Sequence, residues 1–164
     1  MYASQADAIC AHVGCQAMGD RLENLARAFN LPAQALMPVP CKSPHTVLLS
    51  ERGVRITLHH PDAGAVEVGN PNRWVITDML FGAAWQGPLP FGLDALIETP
   101  TTAIQKLGDD MTRLSQSAID RGDLRQSFTL NDARVVELLW KPTLIGIDRV
   151  WVVRLGQPLS APPG

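Results

Sequence analysis

A dense group of titratable side chains stands at His59, His60 and Asp62, where the sequence reads HHPD. Histidine and aspartate so close together are typical of a metal site or a general base. Adjacent residues of an extended strand point to opposite faces, however, so His59 and His60 cannot easily share one metal ion. A strand that ends beside a turn is the simpler interpretation. A small enzyme that uses the His59 region is the third of our hypotheses.

The cysteines Cys10, Cys15 and Cys41 are the second group with chemical potential, together with His12 and His45. Thiolate and imidazole are ligands that zinc prefers, but the four residues between Cys10 and Cys15 do not match the two-residue spacing of a zinc knuckle. An odd number of cysteines also argues against a secreted disulfide framework. His12 and Cys15, three residues apart on a predicted helix, could touch as a nucleophile pair, but no third group is evident. We therefore predict reduced, partly buried thiols, with no metal, no cofactor and no catalytic residue.

Composition and charge exclude several classes of protein. The chain has 164 residues, of which 46% are hydrophobic and 18% are charged, a balance typical of a globular domain. Its net charge of −2 gives no electrostatic basis for binding nucleic acid or an anionic membrane. No apolar run approaches the roughly 20 residues that span a bilayer, and the N-terminus lacks the pattern of a signal peptide. We expect a single domain over residues 1–164 that stays in the cytoplasm.

The first half of the chain has the pattern of helices followed by strands. Ser4 can cap a weak first helix, and DRLENLARAFN has a capping-box pattern at Asp20 and Glu23 with the apolar spacing of a better helix. After a proline-rich loop, HTVLLSERGVRITLHHP predicts two short strands around a turn at Glu51 to Gly53. RWVITDMLFG then predicts a third strand.

The second half repeats this order and opens on a short helix with unusually clear start and stop signals. In LPFGLDALIETPTTAIQKLG, Thr99 can cap the helix, Pro100 suits its first position and Gly108 can end it. Another helical turn, a hairpin that turns at Asn131 to Ala133 and a last strand, GIDRVWVVRLG, follow. Identity between the halves is slight, and chance similarity of two α+β segments is the alternative. The order of elements nevertheless predicts repeat-like halves over about 20–82 and 99–156.

The pattern of LPFGL, a capped helix that ends in LG, then a hairpin and a strand resembles a unit found in several bacterial protein families. It is similar to the tandem repeats of the β-lactamase inhibitory protein fold and to the small lipoprotein of the outer-membrane barrel-assembly machinery. It also resembles small immunity proteins that bacteria keep beside secreted toxins. The resemblance is clearest over residues 88–156, whereas the first half has no LPFGL equivalent and the chain shows no lipoprotein signal. It implies a binding protein rather than an enzyme.

The predicted fold is α+β, with two helix/β-hairpin units whose strands form one curved antiparallel sheet and whose helices lie on one face. The other face must then meet solvent or a partner. Alternation along the strands predicts an outward row of Arg55, Thr57 and His59. A second row contains Glu137 and one of two registers of the last strand, which are Arg149 with Trp151 or Asp148 with Arg154.

Tryptophan is the residue type that we expect to dominate binding. Tryptophan and arginine often carry much of the energy of an interface, and Trp151 lies between two arginines in DRVWVVRL. For any one of the four tryptophans, Trp74, Trp85, Trp140 and Trp151, burial in the core is the simpler interpretation. Trp151 is the exception that we choose as the anchor residue.

These expectations lead to a function hypothesis. We predict an immunity protein that binds a cognate protein toxin or effector and neutralises it by occluding its active site. The predicted partner-binding residues are Arg55, Thr57, His59, Glu137, Arg149 and Trp151. The alternative is a secretion chaperone or adaptor that holds an effector before export, whose partner would remain active after release.

Overall fold

The computed structural model describes residues 4–17, 19–37, 44–60 and 74–154. Four α-helices lie in these ranges: α1 Gln5–Cys10, α2 Gly19–Ala28, α3 Pro100–Leu107 and α4 Gln116–Asp120. Six strands form one sheet: β1 His45–Leu49, β2 Val54–His59, β3 Val75–Phe81, β4 Arg125–Thr129, β5 Arg134–Trp140 and β6 Ile147–Arg154.

The sheet is antiparallel throughout, with the strand order β1-β2-β3-β6-β5-β4. The first three strands come from the first half of the chain and the last three from the second half. The halves meet in the centre, where Asp78–Phe81 of β3 pairs with Val150–Val153 of β6. The strand order reads the same, in reverse, when β1, β2 and β3 are exchanged with β4, β5 and β6. Each half contributes helices, a hairpin and a third strand. The predicted α+β class is confirmed.

The first helix is shorter than the sequence pattern predicts. The Ser4 side chain accepts a hydrogen bond from the amide of Asp7 at 3.1 Å, as expected of a cap, but α1 ends at Cys10. The chain then turns through Gly14, whose φ is 87°, and the Gly14 amide donates to the carbonyl of Ile76 at 2.6 Å. β6 pairs with β3 only from Asp78 onward, so the start of β3 can hydrogen-bond to the segment around Gly14 and Cys15 instead. Cys15 therefore lies beside β3 and not on a helix.

The second helix begins one residue before its predicted cap. Because α2 starts at Gly19, Asp20 lies inside the first turn, and the pattern that it forms with Glu23 does not mark the N-cap. In that position the carboxylate is still favourable, since the N-terminal end of a helix dipole is positive. The apolar spacing predicts the buried face correctly, which consists of Leu22, Leu25, Ala26 and Phe29.

The signals around the third helix are confirmed. Thr99 and Thr102 form a capping box, Pro100 occupies the first position, and the helix ends before Gly108, whose φ is 99°. The preceding LPFGL forms a 3₁₀ turn over Pro90–Gly92, in which Phe91 has a φ of 63°. A non-glycine residue with positive φ requires support from its surroundings. That support comes from the amide of Phe91, which donates to Oδ1 of Asp7 in α1 at 2.5 Å.

A buried carboxylate ties the 3₁₀ turn to α3. Glu98 is 1% exposed, and its Oε2 accepts hydrogen bonds from Nζ of Lys106 at 2.6 Å and from the amide of Asp94 at 2.9 Å. The Thr102 hydroxyl donates to the other oxygen, and Lys106 also donates to the carbonyl of Gly92 at 2.7 Å. Burial by itself raises the pKa of Glu98, but these bonds outweigh it and hold the pKa below its ordinary value.

The hydrophobic core lies between the helices and one face of the sheet. Residues of α1, α2 and α3 form a single buried cluster with alternate residues of the strands. The largest fully buried side chains include Trp74, Trp140, Phe29, Phe81 and Phe128. Burying one face of each strand leaves the residues between them on the opposite face, which we call the open face.

Candidate protein-interaction surface

Cross-strand register defines which residues share the open face. One row crosses the sheet from β2 to β5, because Arg55 pairs with Leu80, Leu80 with Trp151, and Trp151 with Glu137. A neighbouring row joins β4, β5 and β6, because Leu139 pairs with both Arg125 and Arg149. Directly paired residues of an antiparallel sheet point to the same face. The seven side chains of these two rows therefore belong to one surface.

These two rows line a groove of about 250 Å³ on the open face. Leu80, Leu139 and Trp151 supply apolar surface. The charged groups are supplied by Arg55, Arg125, Glu137 and Arg149. A half-exposed tryptophan among arginines has the composition of a protein-binding hot spot.

A buried acceptor orients the tryptophan. The indole Nε1 of Trp151 donates to Oδ1 of Asp78 at 3.0 Å, and Nη2 of Arg55 lies 4.0 Å from the same oxygen. Asp78 is on β3 and its side chain is only 12% exposed, so the carboxylate is held within the sheet and not offered to a ligand. The indole ring is thus positioned from beneath by a carboxylate of the neighbouring strand.

The structure brings together four of the six predicted binding residues: Arg55, Glu137, Arg149 and Trp151. Thr57 pairs with Asp78 on the same face but is only 8% exposed, so it is not an accessible contact. His59 is exposed at the end of β2, beyond a register shift that follows Thr57, and it does not line the groove. The predicted outward row is therefore correct for Arg55, whereas Thr57 and His59 are separated from the site.

The register of the last strand is decided in favour of Arg149 with Trp151. Arg154 lies on the helix-covered side, because its side chain fills the space beside Gly14 and its guanidinium donates to the carbonyl of Asp132. Asp148 precedes Arg149 and lines a separate cleft at the end of the sheet. The alternative register of Asp148 with Arg154 is therefore not part of the groove.

Sequence reasoning missed three groove residues, Leu80, Leu139 and Arg125. Each lies within a predicted strand, and period-two alternation from Glu137 places Leu139 on the same face. Arg125 is on another strand and joins this face only through its pairing with Leu139. The missing information was that β4 and β6 both flank β5.

The four tryptophans divide evenly between core and surface. Trp74 and Trp140 are each 1% exposed, as the simpler interpretation predicts. Trp151 is half-buried on the open face. Trp85 follows β3, stacks edge-on against Phe81 with ring centroids 5.2 Å apart, and donates from Nε1 to the carbonyl of Pro88 at 3.0 Å.

A larger cleft of about 750 Å³ lies at the end of the sheet, where β3 ends and β6 begins. Arg149 lines both this cleft and the groove, so the two depressions adjoin at that residue. Leu96 is at the rim of the cleft, and the backbone around it bonds to the β5–β6 connection through the amides of Gly146 and Ile147. This joining of two loops creates an apolar patch of large exposed side chains: Leu96 (72%), Ile97 (70%) and Ile145 (53%).

No protein-family model matches this chain, and no curated protein or solved structure matches it at a significant level. Within the described ranges, no helix combines the length and the apolar character that crossing a membrane requires. The geometry of the site is therefore the basis for assigning a function.

The thiols of the first half lie in the core and away from the groove. Cys10 and Cys15 are fully buried, and Sγ of Cys15 lies 3.5 Å from the carbonyl oxygen of Ala11. Burial raises the pKa of both thiols above the ordinary value, which disfavours the reactive thiolate. Cys41 lies outside the described residues. The described part of the chain holds no cluster of three or more histidine, cysteine, aspartate or glutamate side chains suited to a metal ion.

The two histidines of the HHPD segment lie in different environments. His59 is exposed, whereas His60 is buried with its ring centroid 5.3 Å from that of Trp74. The predicted opposition of these two side chains is thus observed, and Asp62 lies outside the described residues. Burial, with a smaller contribution from the charge of Arg21, lowers the pKa of His12 to about 4.

Proposed function

We propose that this protein binds a cognate protein toxin of bacterial origin and neutralises it by occluding the toxin's active site. The observation that carries the proposal is the groove on the open face, where Trp151 is held half-exposed among Arg55, Arg149 and Arg125. A preorganised aromatic residue on rigid strands loses little conformational entropy on binding, which favours a tight complex. The resemblance of the second half to small immunity proteins supports the same function.

The size of the surface also favours a protein as the ligand. A stable protein–protein interface buries about 800 Å² on each partner. The groove alone is small, but the cleft adjoins it at Arg149, and Leu96 of the cleft belongs to the exposed apolar patch. Together they extend from the middle of the sheet to its end, which suits a partner that approaches along β6.

The experiment uses the reading frames beside the gene, since an immunity protein and its toxin are expected to be encoded together. Each neighbouring protein is produced in bacterial cells with and without this chain. We expect one neighbour to arrest growth and the wild-type chain to restore it. Trp151→Ala should lose this protection, whereas Gln105→Ala, at an exposed position of α3, should keep it.

Activity of the purified complex then separates the hypotheses. A one-to-one complex in which the toxin is inactive supports neutralisation. A partner that stays fully active while bound contradicts it and favours the chaperone. Protection by Trp151→Ala equal to that of the wild type would show that the open face is not the binding site.

A further inference from the structure

The lining of the groove contains more arginines than carboxylates, although the chain as a whole is slightly acidic. The lining contains three arginines, one on each of β2, β4 and β6, and a single carboxylate, Glu137. Outside the lining, Asp78 lies 4.0 Å from Arg55 and Asp123 lies 3.0 Å from Arg125, so two of the three arginines have a carboxylate neighbour. The whole chain has a net charge of −2. The excess of arginine in the lining is therefore a local feature of this face.

The guanidinium groups retain free donors. Arg149 is exposed and forms no hydrogen bond or ion pair within the described part of the chain. Arg125 bonds to Oδ1 of Asp123 at 3.0 Å through Nε alone, which leaves its terminal nitrogens available. Arg55 approaches Asp78 only at 4.0 Å, and that carboxylate already accepts the indole of Trp151. Arg149 is thus the groove arginine without a carboxylate partner among the described residues, and Arg125 keeps its terminal donors.

Apolar surface between the arginines strengthens their attraction for an anion. Leu139 is flanked in register by Arg125 and Arg149, so those two guanidiniums emerge from strands about 10 Å apart with a leucine between them. Leu80 and the Trp151 ring continue the same apolar floor. Charge-assisted hydrogen bonds gain strength where apolar groups exclude water.

We propose that the groove binds an acidic segment of the partner protein, with its carboxylates on the arginines and an apolar side chain against Trp151. That the partner is a protein rests on the function proposed above. That the bound segment is acidic rests on the residues of the groove itself. The cleft adjoins the groove at Arg149, which leaves room for an extended chain segment that a small isolated anion would not need.

The test uses the full-length chain and two short capped peptides, one alternating glutamate with leucine and its counterpart alternating lysine with leucine. The reporter is the indole N–H resonance of Trp151 in ¹⁵N spectra, assigned by its loss in Trp151→Phe. We expect the glutamate peptide to shift this resonance and the lysine peptide to leave it in place. The affinity should fall as salt is raised, because the charges are at the surface.

Two variants change the charge of the groove in opposite directions: one removes a positive charge and the other a negative charge. Arg149→Gln should weaken binding of the glutamate peptide, roughly fivefold if the pair contributes about 1 kcal/mol. Glu137→Gln removes a like charge and should tighten it, by roughly twofold or more. Far-ultraviolet circular dichroism and the melting temperature of each variant establish that it is folded.

The outcomes are distinct. Equal binding of both peptides, no shift with either, or changes of the same sign in Arg149→Gln and Glu137→Gln would each overturn the acidic ligand. A short single-stranded oligonucleotide that shifts Trp151 as strongly as the glutamate peptide would also overturn it. If these tests fail while Trp151→Ala still abolishes protection from a toxin, the proposed function stands without an acidic ligand. If they succeed while Trp151→Ala protects normally, the groove binds acidic peptides but neutralisation uses another surface.

Discussion

The indole of Trp151 and the carboxylate of Asp78 join the two halves of the chain by a hydrogen bond of 3.0 Å, from Nε1 to Oδ1. The two residues lie on β6 and β3, the strands at which the halves meet. Since Asp78 is nearly buried and Trp151 half-exposed, the bond holds the indole in place from within the sheet. The proposed binding residue is therefore positioned by contacts that neither half has alone.

This arrangement predicts different effects for tryptophans on the two faces of the sheet. Trp151→Ala should weaken partner binding by about 2–4 kcal/mol, because it removes an interface anchor. Trp140→Ala, on the adjacent strand and the buried face, should instead lower the free energy of unfolding by about 3–5 kcal/mol. Urea denaturation of both variants measures the contrast. An equal loss of stability in the two variants would show that Trp151 stabilises the fold as a core residue does.

Removing Lys106 and removing Glu98 should each destabilise the fold, but by different amounts. Lys106→Met leaves a buried, ionised carboxylate without its cation and should cost about 3–5 kcal/mol. Glu98→Gln leaves Lys106 able to reach water and should cost about 1–3 kcal/mol. Denaturant unfolding at neutral pH gives both values, and a larger loss in Glu98→Gln would contradict this account.

Glu98 should also make stability depend on acidity. Its pKa is below the ordinary value of 4.5 in the folded chain, so the stabilisation is complete above 4.5 and is lost as the pH falls through the folded-state pKa. Below pH 4.5 the unfolded chain binds the proton first, and the free energy of unfolding should fall. The decrease should be smaller in Glu98→Gln, and identical acid profiles for this variant and the wild type would refute the role of Glu98.

Protonation of His12 should lower the stability of the fold in a higher pH range than protonation of Glu98. The pKa of His12 is about 4 in the folded chain against an ordinary value of 6.5, because burial and the charge of Arg21 disfavour the imidazolium. The unfolded chain therefore binds the proton first, and stability should decline as the pH falls from about 6.5 towards 4. His12→Gln should flatten this part of the profile. Thermal unfolding at closely spaced pH values measures it, with His59→Gln as the exposed control.

Two glycines with similar backbone angles should respond differently to alanine. Gly146 has a φ of 87°, and an added Cβ would lie 2.7 Å from the carbonyl oxygen of Ala95. Gly122 has a φ of 74° with no neighbouring atom within 4 Å of that position. Gly122→Ala should therefore cost only the positive-φ penalty of about 1–2 kcal/mol. Gly146→Ala should cost clearly more and shift the Leu96 loop, and equal melting temperatures would contradict the close approach.

The cysteine thiols Cys10 and Cys15 should not react while the protein is folded. In a Cys41→Ser variant, Cys10 and Cys15 are the remaining thiols, and both are fully buried with raised pKa values. We expect no reaction with a thiol-specific reagent until denaturant is added, after which both react. We also expect folding to survive a chelator. Stoichiometric zinc in the purified protein, or unfolding on chelation, would overturn the prediction that the protein folds without a metal.

Several elements could be predicted from neighbouring residues alone. Thr99, Pro100 and Gly108 mark the limits of α3, and the turns at Glu51 to Gly53 and Asn131 to Ala133 connect the hairpins as expected. Such features depend on backbone preferences and on the period of apolar residues within a few positions, which the sequence displays directly. The same periodicity placed Arg55 and Glu137 on strands with one buried face.

The groove itself was decided by tertiary structure. The pattern in DRVWVVRL allowed two registers, and only the packing of Val150 and Val152 into the core turns Arg149 and Trp151 outward. Arg125 and Arg149 flank Leu139 only because β4 and β6 both pair with β5. Local preference cannot specify such a pairing, because its free energy comes from burying one continuous face formed by strands far apart in the chain. The sequence thus determined which residues alternate on each strand, and the pairing of the strands decided which of them meet.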